Sequence, residues 1–235
     1  MVAIEAYSHG LMKIKERVDA FLAPSRFMMS KLIGGGLHPE KVQQVPYFLP
    51  DEMLRDDGDE NQGYLLFLGK IDPIKGVRTL VEACRLVPEL RVILAGRSTE
   101  PMAREMSESL PGNASYVGMK HGEELRALLH GAQGVVVPSL SYENQPFTIL
   151  ESFGYGKPVI GSRLGGIAEL IGDGNRGLLV QPGDAADLAR AMLWMKTHSM
   201  EAVRMGQAGR EFVLANHTPQ QHYERLMQIY QRFAV

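Results

Sequence analysis

The sequence predicts an α/β protein with a doubly wound parallel sheet. From about residue 63 onward, short apolar segments of strand length alternate with longer segments of helical periodicity. The residues before this region have the same strand, helix, strand order once. At 235 residues, the chain is long enough for one large domain or for one and a half ordinary domains. Two complete lobes with a linker do not fit this length.

Six strands and five helices are predicted in the main domain. The strands are Tyr64–Leu68, Arg91–Ala95, Ala114–Val117, Gly134–Val137, Pro158–Ile160 and Gly177–Val180. The helices are Val77–Val87, Pro101–Leu110, Gly122–Leu129, Phe147–Tyr155 and Ala185–Lys196. We expect residues 63–216 to form this Rossmann-like domain, with ligands at the carboxyl ends of the strands.

The segments outside this domain are shorter. Within residues 1–50, VDAFLAPS is interpreted as a strand, RFMMSKLIGGG as a short helix stopped by glycines, and KVQQVPYFLP as a second extended segment. The acidic, polar residues 51–62 are interpreted as a linker. Residues 217–235 are predicted to form a C-terminal helix that begins after Thr218-Pro219.

The C-terminal helix has one apolar face. Leu226, Ile229, Tyr230 and Phe233 follow one another at i, i+3, i+4 and i+7. One interpretation is that this face packs on the chain's own domain. The other is that it docks on a partner.

Composition excludes several classes of protein. Hydrophobic residues at 45% and charged residues at 22% are typical of a globular protein. A net charge of −2 without a long basic run argues against a dominant nucleic-acid surface. The only cysteine, Cys84, cannot form an intrachain disulfide and is predicted to be a core residue. No signal peptide or membrane span is predicted, so we expect a cytoplasmic protein.

The most informative segment is PSLSYENQPFTILESFGYGKPVIGSRLGGIAELI, residues 138–171, which begins at the end of an apolar strand. Pro146 suits the first turn of a helix, so the backbone N–H groups of Phe147 and Thr148 would lack helical partners. Together with the helix dipole, such donors favour an anion. This helix start is therefore predicted to bind phosphate.

Two carboxylates bracket the same helix start. Glu143 and Glu151 are spaced Glu-x7-Glu, and carboxylates accept hydrogen bonds from paired sugar hydroxyls. The pair suits a ligand with phosphates between two polyols, which describes a nucleotide sugar. Alternatively, Glu143 complements the helix dipole and Glu151 is a solvated helix residue.

A second candidate segment is the loop in FLGKIDPIKGV. Gly69 ends an apolar strand, and Lys70 and Lys75 follow it before the next helix. Lysine ammonium groups at this edge of the sheet could bind the same phosphates. Taken alone, either lysine is more simply interpreted as a solvated loop residue. Together with the predicted phosphate site at the helix start after another strand of the same sheet, the lysines favour a binding site.

Three other patterns fail on context. GDGNRG at 172–177 matches Gly-x-Gly-x-x-Gly, but it follows a helix and leads into a strand, the reverse of a dinucleotide fingerprint. Asp57-Gly58-Asp59 resembles an Asp-x-Asp metal motif, but it lies in the acidic linker. His217 and His222 share no helical face with another ligand, so no metal site is predicted.

From about Asp19 to the C-terminus, the sequence resembles the donor half of family 4 retaining glycosyltransferases, which have the two-lobed GT-B fold. The lysine loop, the Glu-x7-Glu segment and the following GKPVIGSRLGGIAELI carry this resemblance. It implies that residues 1–50 close an N-terminal lobe that is otherwise missing. It also implies that the C-terminal helix crosses back to that lobe.

The resemblance implies roles for matching residues. Glu143 would bind hydroxyls of the transferred sugar, and Glu151 would bind the ribose. Backbone groups near Phe147 and Thr148, helped by Lys75, would hold the diphosphate, and the backbone at Val117 would meet the base. Gly69 and Lys70 complete the predicted donor site, with Lys70, Lys75 and Glu143 as the catalytic candidates. One departure is Lys70 itself, because the family usually has an arginine there.

Three hypotheses follow. The first is a metal-independent hexosyltransferase that moves sugar from a UDP-, GDP- or ADP-sugar to a glycan, lipid or small acceptor, without a further cofactor. It would be cytoplasmic or peripheral to a membrane, and it would need the N-terminal lobe for its acceptor. The second is a nucleotide-sugar-binding module without transferase activity of its own. The third is a related GT-B nucleotide-sugar epimerase.

Overall fold

The computed structural model describes residues 14–54 and 61–233. Within these ranges, the strands form two parallel sheets. The smaller sheet pairs β1 (Phe21–Ala23) with β2 (Val42–Gln44). The larger sheet contains β3 (Tyr64–Leu68), β4 (Arg91–Ala95), β5 (Ala114–Tyr116), β6 (Ala132–Val137), β7 (Val159–Ser162) and β8 (Gly177–Val180). Its order, β5-β4-β3-β6-β7-β8, is that of a doubly wound fold and confirms the predicted fold class.

The helices connect these strands. They are α1 (Ile14–Arg17), α2 (Arg26–Gly34), α3 (Val77–Leu86), α4 (Glu100–Ser109), α5 (Gly122–Gly131), α6 (Phe147–Gly154), α7 (Gly165–Ile171), α8 (Ala185–Thr197), α9 (Ser199–Asn216) and α10 (Pro219–Gln231). The predicted strands and helices of the main domain are all present, with bounds that differ by at most two residues.

Helix α9 is absent from the sequence prediction because its interior contains glycines, which lower helix propensity. The structure shows what these glycines do. A Cβ at Gly206 would lie 1.9 Å from the carbonyl oxygen of Gly156, and a Cβ at Gly209 would lie 2.5 Å from the Phe153 ring. The glycines therefore allow α9 to pack closely against the end of α6.

The core lies on both faces of the large sheet. Leu65 and Phe67 of β3 face the cluster that contains α3 and α8, whereas Tyr64 and Leu66 face the cluster that contains α6 and α7. Burial on both faces explains why the strands are continuously apolar. Cys84 is fully buried in the first cluster, where burial raises the pKa of its thiol to about 12. It is a core residue, as predicted.

The β1-α2-β2 unit has a small core of its own, made by Ala23, Leu37 and Val42. It is tied to the large domain by Glu169 of α7, whose carboxylate accepts hydrogen bonds from the backbone N–H groups of Arg26 (3.0 Å) and Phe27 (2.8 Å). In its described residues, the proposed linker has a 3-10 turn at Asp51–Met53. Asp57, Gly58 and Asp59 lie outside the described residues, and the domain bounds remain a prediction.

Helix α10 begins with a capping box formed by Thr218 and Gln221. On its apolar face, Ile229 is buried and Leu226 is half-buried, but Tyr230 is 56% and Phe233 is 46% exposed. The face thus packs only partly on its own chain. Among the described residues, we find no helix that combines the length and the apolar character needed to cross a membrane.

Candidate functional site

The candidate site lies where β3 and β6 are neighbours. The chain leaves β3 toward one side of the sheet and β6 toward the other, so a crevice opens at the carboxyl ends of these strands. The lysine loop, residues 69–76, follows β3, and the loop 138–146 follows β6. The tertiary structure therefore brings the two predicted segments to one place.

Backbone contact holds these two loops together. Gly76 has a φ of +75°, and a Cβ at this position would lie 1.8 Å from the carbonyl oxygen of Pro138. The N–H of Leu140 donates to the carbonyl oxygen of Ile74 at 2.8 Å. Only glycine permits this approach, which places Lys75 next to the loop that carries Glu143.

Lys75 and Glu143 form an ion pair between Nζ and Oε1. The pair is partly buried, with side chains 36% and 21% exposed, and Ser139 Oγ donates to the same carboxylate oxygen at 3.3 Å. Lys70 is more open, with a side chain 50% exposed, and its Nζ lies 2.6 Å from Asp72 Oδ2. Lys75 is therefore held in the crevice, and Lys70 lies at its edge.

Helix α6 points its N-terminus into the same crevice. Pro146 is its N-cap residue, so the N–H groups of Phe147 and Thr148 have no partner within the helix. Thr148 Oγ1 donates to the carbonyl oxygen of Leu68 at 3.3 Å, which ties the helix start to β3. The Phe147 ring turns away and stacks on Tyr47, with centroids 4.9 Å apart.

These groups line a cavity of about 230 Å³, which we call the first cavity. Its lining residues include Gly69, Lys70, Lys75, Ser139, Glu143 and Thr148. A second cavity of about 430 Å³ shares Leu68, Gly69 and Lys70 with the first and adds Glu151, Arg97 and His121. The two cavities therefore adjoin at the end of β3.

Glu151 faces the second cavity from α6. Burial raises the pKa of its carboxyl group, and no described residue forms a hydrogen bond or ion pair with it. A buried carboxylate without a partner carries a desolvation cost. This partial burial argues against the alternative interpretation of Glu151 as a solvated helix residue.

Sequence reasoning assigned no role to two glycines beside Val117, Gly96 and Gly118. The N–H of Val117 donates to the carbonyl oxygen of Leu94, and Gly96 N–H donates to that of Gly118 at 2.9 Å. A Cβ at Gly96 would lie 1.7 Å from the carbonyl oxygen of Gly69. A signal for them existed, because β3 and β4 each end directly before a glycine and Gly118 follows β5 by two residues.

The pair Gly165-Gly166 supports Glu143. Gly166 N–H donates to the carbonyl oxygen of Glu143 at 2.8 Å. A Cβ on Gly166 would lie 1.9 Å from the carbonyl oxygen of Asn144. Gly165 has a φ of +47°. The segment GSRLGG is therefore a packing motif that fixes the loop carrying Glu143.

The site combines two kinds of recognition. Free helix N–H groups and lysine ammonium groups favour an anion, whereas Glu143 and Glu151 can accept hydrogen bonds from hydroxyl groups. Within residues 14–54 and 61–233, no group of three or more His, Cys, Asp or Glu side chains could hold a metal ion.

Comparison with curated proteins shows similarity to glycosyltransferases. The phosphatidyl-myo-inositol mannosyltransferase of Mycobacterium leprae is 29% identical over 63% of this chain and 41% of its own length. The D-rhamnosyltransferase WbpZ of Pseudomonas aeruginosa is 28% identical over 87% of this chain and 57% of its own length. The chain spans about half the length of the curated relatives it matches, between 36% and 57%.

Solved structures share the fold. A glycosyltransferase of Rickettsia africae superposes with a TM-score of 0.84 at 18% identity, over 98% of this chain and 66% of its own. Sucrose-phosphate synthase of Thermosynechococcus elongatus has a TM-score of 0.80 at 24% identity, over 95% and 61% of the two chains.

The family described as "Glycosyl transferases group 1" matches residues 62–198, more than half of the chain. This match covers both cavities and the loops that line them, and it confirms the resemblance seen in the sequence. The chain belongs to the group 1 glycosyltransferases.

Proposed function

We propose that this chain binds the nucleotide-sugar donor of a retaining glycosyltransferase. The observation that carries the proposal is the junction of two unlike cavities. The first holds Lys75 and the start of α6, which suit a diphosphate, and the second holds the unpaired carboxylate of Glu151. A nucleotide sugar carries its diphosphate between two hydroxyl-bearing groups and would span both.

The proposed donor position follows from these groups. The diphosphate lies at the N–H groups of Phe147 and Thr148, near Lys75 and Lys70. The ribose hydroxyls donate to Glu151, and the base lies near Val117, beyond the glycines that end β4 and follow β5. The transferred sugar lies at Glu143, whose carboxylate is already held by Lys75 and Ser139.

In the proposed reaction, the bond between the sugar carbon and the diphosphate oxygen breaks, and the oxygen of an acceptor hydroxyl bonds to that carbon on the same face. The hydroxyl proton passes to the departing diphosphate. The departing diphosphate gains negative charge. Lys75, Lys70 and the α6 N-terminus would stabilise this charge because they are in place before the reaction begins. We assign no protein nucleophile, and we expect no cofactor besides the donor.

Uridine diphosphate is the first donor nucleotide to test, ahead of the GDP and ADP compounds. Structures of the Anabaena protein HepE, which share the fold, were solved with UDP and with UDP-glucose. That protein is 18% to 19% identical to this chain. It therefore supports UDP as the first nucleotide to test and does not establish which nucleotide this chain prefers.

A second proposal is a donor-binding module that transfers sugar only together with an acceptor-binding lobe. The chain spans 45% and 41% of the length of two curated relatives. Transfer requires both reactants to be held together. Sugar transfer by the 235-residue chain alone would exclude the module, and activity that appears only after addition of a separate lobe would support it.

Thermal unfolding with UDP, GDP, ADP and their sugar derivatives tests donor binding. A ligand present at 100 times its dissociation constant adds about 2.7 kcal/mol to the free energy of unfolding. We expect one nucleotide class to stabilise the chain in this way and the Lys75→Ala variant to respond less. Equal, weak responses to all nucleotides would contradict the proposal.

A further inference from the structure

A third cavity, of about 320 Å³, lies away from the two that adjoin β3. It opens between the β1-α2-β2 unit, α7 and the junction of α9 with α10. The residues that line it are Arg26, Gln44, Pro46, Gln145, Glu169, Leu170, Arg176, Phe212, Asn216, His217 and Arg225. None of these residues lines the first or the second cavity.

Two guanidinium groups in this cavity lack a carboxylate partner among the described residues. Arg176 stacks on Phe212, 4.3 Å from the ring centroid, and donates through Nε to the carbonyl oxygen of Leu170 at 2.7 Å. Arg225 donates through Nη1 to the carbonyl oxygen of Asn216 at 2.8 Å. Each guanidinium has five N–H donors, so most of them remain available.

Among the described residues that line the cavity, the one carboxylate is already occupied. Glu169 accepts hydrogen bonds from the N–H groups at the start of α2 and pairs with Arg26, whose side chain is 78% exposed. Three guanidinium groups against one carboxylate leave a net charge of +2 while His217 is neutral. Half-buried charge without a counter-charge is costly, because neither water nor an ion pair fully compensates it.

Gln145 adds a neutral donor. The residue is 5% exposed, and its Oε1 accepts the N–H of Tyr47 at 2.6 Å. Its Nε2 has no partner among the described residues. The lining is therefore rich in donors, whereas its principal acceptor is used.

We propose that this third cavity binds a phosphate dianion, either inorganic phosphate or a phosphomonoester, between Arg176 and Arg225. A phosphomonoester carries about −1.5 to −2 charges at pH 7, close to the opposite of the charge of the lining. Arginine forks match phosphate oxygens in pairs. The site is separate from the proposed donor site, so the two can be tested independently.

His217 provides a direct reporter. The residue is 2% exposed, and its Nδ1 lies 2.7 Å from the carbonyl oxygen of Tyr47, which can only accept, so Nδ1 carries the proton. Burial lowers the pKa of His217, and the charges of Arg225 and Arg176 lower it further. Phosphate between these arginines would raise the pKa of His217, whereas phosphate in the first cavity would leave it unchanged.

The test is calorimetric titration with inorganic phosphate at constant ionic strength, together with NMR titration of the His217 ring. We expect saturable binding and a raised His217 pKa in the wild type. Arg225→Gln should weaken phosphate binding about tenfold or more but preserve UDP binding. Arg176→Lys keeps the positive charge and should lose less phosphate affinity than Arg225→Gln. The control Arg190→Gln changes an exposed arginine of α8 and should bind normally.

Lys75→Ala distinguishes the two sites. Phosphate binding that is lost in Lys75→Ala but kept in Arg225→Gln would overturn the proposal, as would the absence of saturable binding or an unchanged His217 pKa. Fructose 6-phosphate and phosphatidylcholine vesicles containing phosphatidic acid distinguish the source. Tighter binding of either probe, lost in Arg225→Gln, would identify a soluble ester or a lipid headgroup.

Discussion

Lys75 shows how one side chain becomes functional through its neighbours. In the sequence it is a loop lysine, which is ordinarily solvated. In the structure its Nζ contacts Glu143, and its side chain lies in the first cavity beside the start of α6. Its charge is therefore directed toward the place where we put the diphosphate.

We expect Lys75→Ala to weaken UDP binding about tenfold or more, since a hydrogen bond to a charged group contributes about 1.5–3 kcal/mol. Lys196→Ala is the control, because Lys196 contacts the Glu89 carbonyl near the opposite edge of the sheet. Calorimetric titration measures both. Equal affinities in the two variants would remove Lys75 from the donor site.

We expect the ionised Glu151 side chain to lower the stability of the fold and to strengthen nucleotide binding. Because burial raises its pKa above the ordinary value, ionisation costs the folded state more than the unfolded chain. The contribution of protonated Glu151 to the free energy of unfolding is complete below the ordinary glutamate pKa. It is lost as the pH rises through the raised pKa. Glu151→Gln should therefore raise the melting temperature at pH 7 and weaken nucleotide binding.

The difference in melting temperature should vanish below about pH 4, where the wild-type Glu151 carboxyl group is neutral in both the folded and the unfolded chain. Glu82→Gln, on the exposed face of α3, is the matched control and should change neither property. A Glu151→Gln variant that is less stable at pH 7, with unchanged nucleotide affinity, would contradict the assignment.

At the scale of elements, glycine determines how closely the loops approach. Gly166 lies in α7 at ordinary helical φ, yet a Cβ there would overlap the carbonyl oxygen of Asn144. The same helix start donates a hydrogen bond to the carbonyl oxygen of Glu143. Helix α7 and the loop after β6 thus form one packed unit.

We expect Gly166→Ala to lower the free energy of unfolding by about 1–3 kcal/mol, because the backbone on both sides must move. Nucleotide affinity should fall with it, since Glu143 shifts. Gly34→Ala is the control, because Gly34 also lies in a helix but has nothing within 4 Å of its missing Cβ. Urea unfolding of both variants provides the comparison, and equal midpoints would refute the packing role.

At the scale of the whole molecule, α10 contacts the segment that follows the β1-α2-β2 unit. His222 Nδ1 contacts the carbonyl oxygen of Pro46 at 2.7 Å, and the His222 ring lies 4.8 Å from that of Phe48. Ile229 is buried while Tyr230 is exposed. The interpretation that this face packs on its own chain therefore holds for Ile229, whereas docking of the exposed Tyr230 on a partner stays a prediction.

Ile229→Ala should reduce the free energy of unfolding by about 2 kcal/mol or more, because it leaves a cavity under α10. Tyr230→Ala should stay within about 0.5 kcal/mol, because its ring is exposed. Chemical unfolding followed by fluorescence measures both. If Ile229→Ala were neutral, α10 would not contribute to the stability of the described fold.

The sequence by itself determined the strands, most helices and the two segments that carry the site, because apolar periodicity, proline and glycine act locally. It also determined the family resemblance, which the family match confirms. It missed the short helix α7 and it missed α9, whose glycines weaken the local helix signal but are required by its packing against α6. It assigned no role to Gly96 or Gly118.

Only the tertiary structure decided which charges meet. Lys75 and Glu143 are 68 residues apart, and their ion pair depends on the neighbouring positions of β3 and β6 and on a glycine that lets two backbones touch. The third cavity likewise joins Arg176 and Arg225 from separate elements. Sequence spacing records neighbours along the chain, whereas electrostatic and hydrogen-bond energies depend on distance and burial in space.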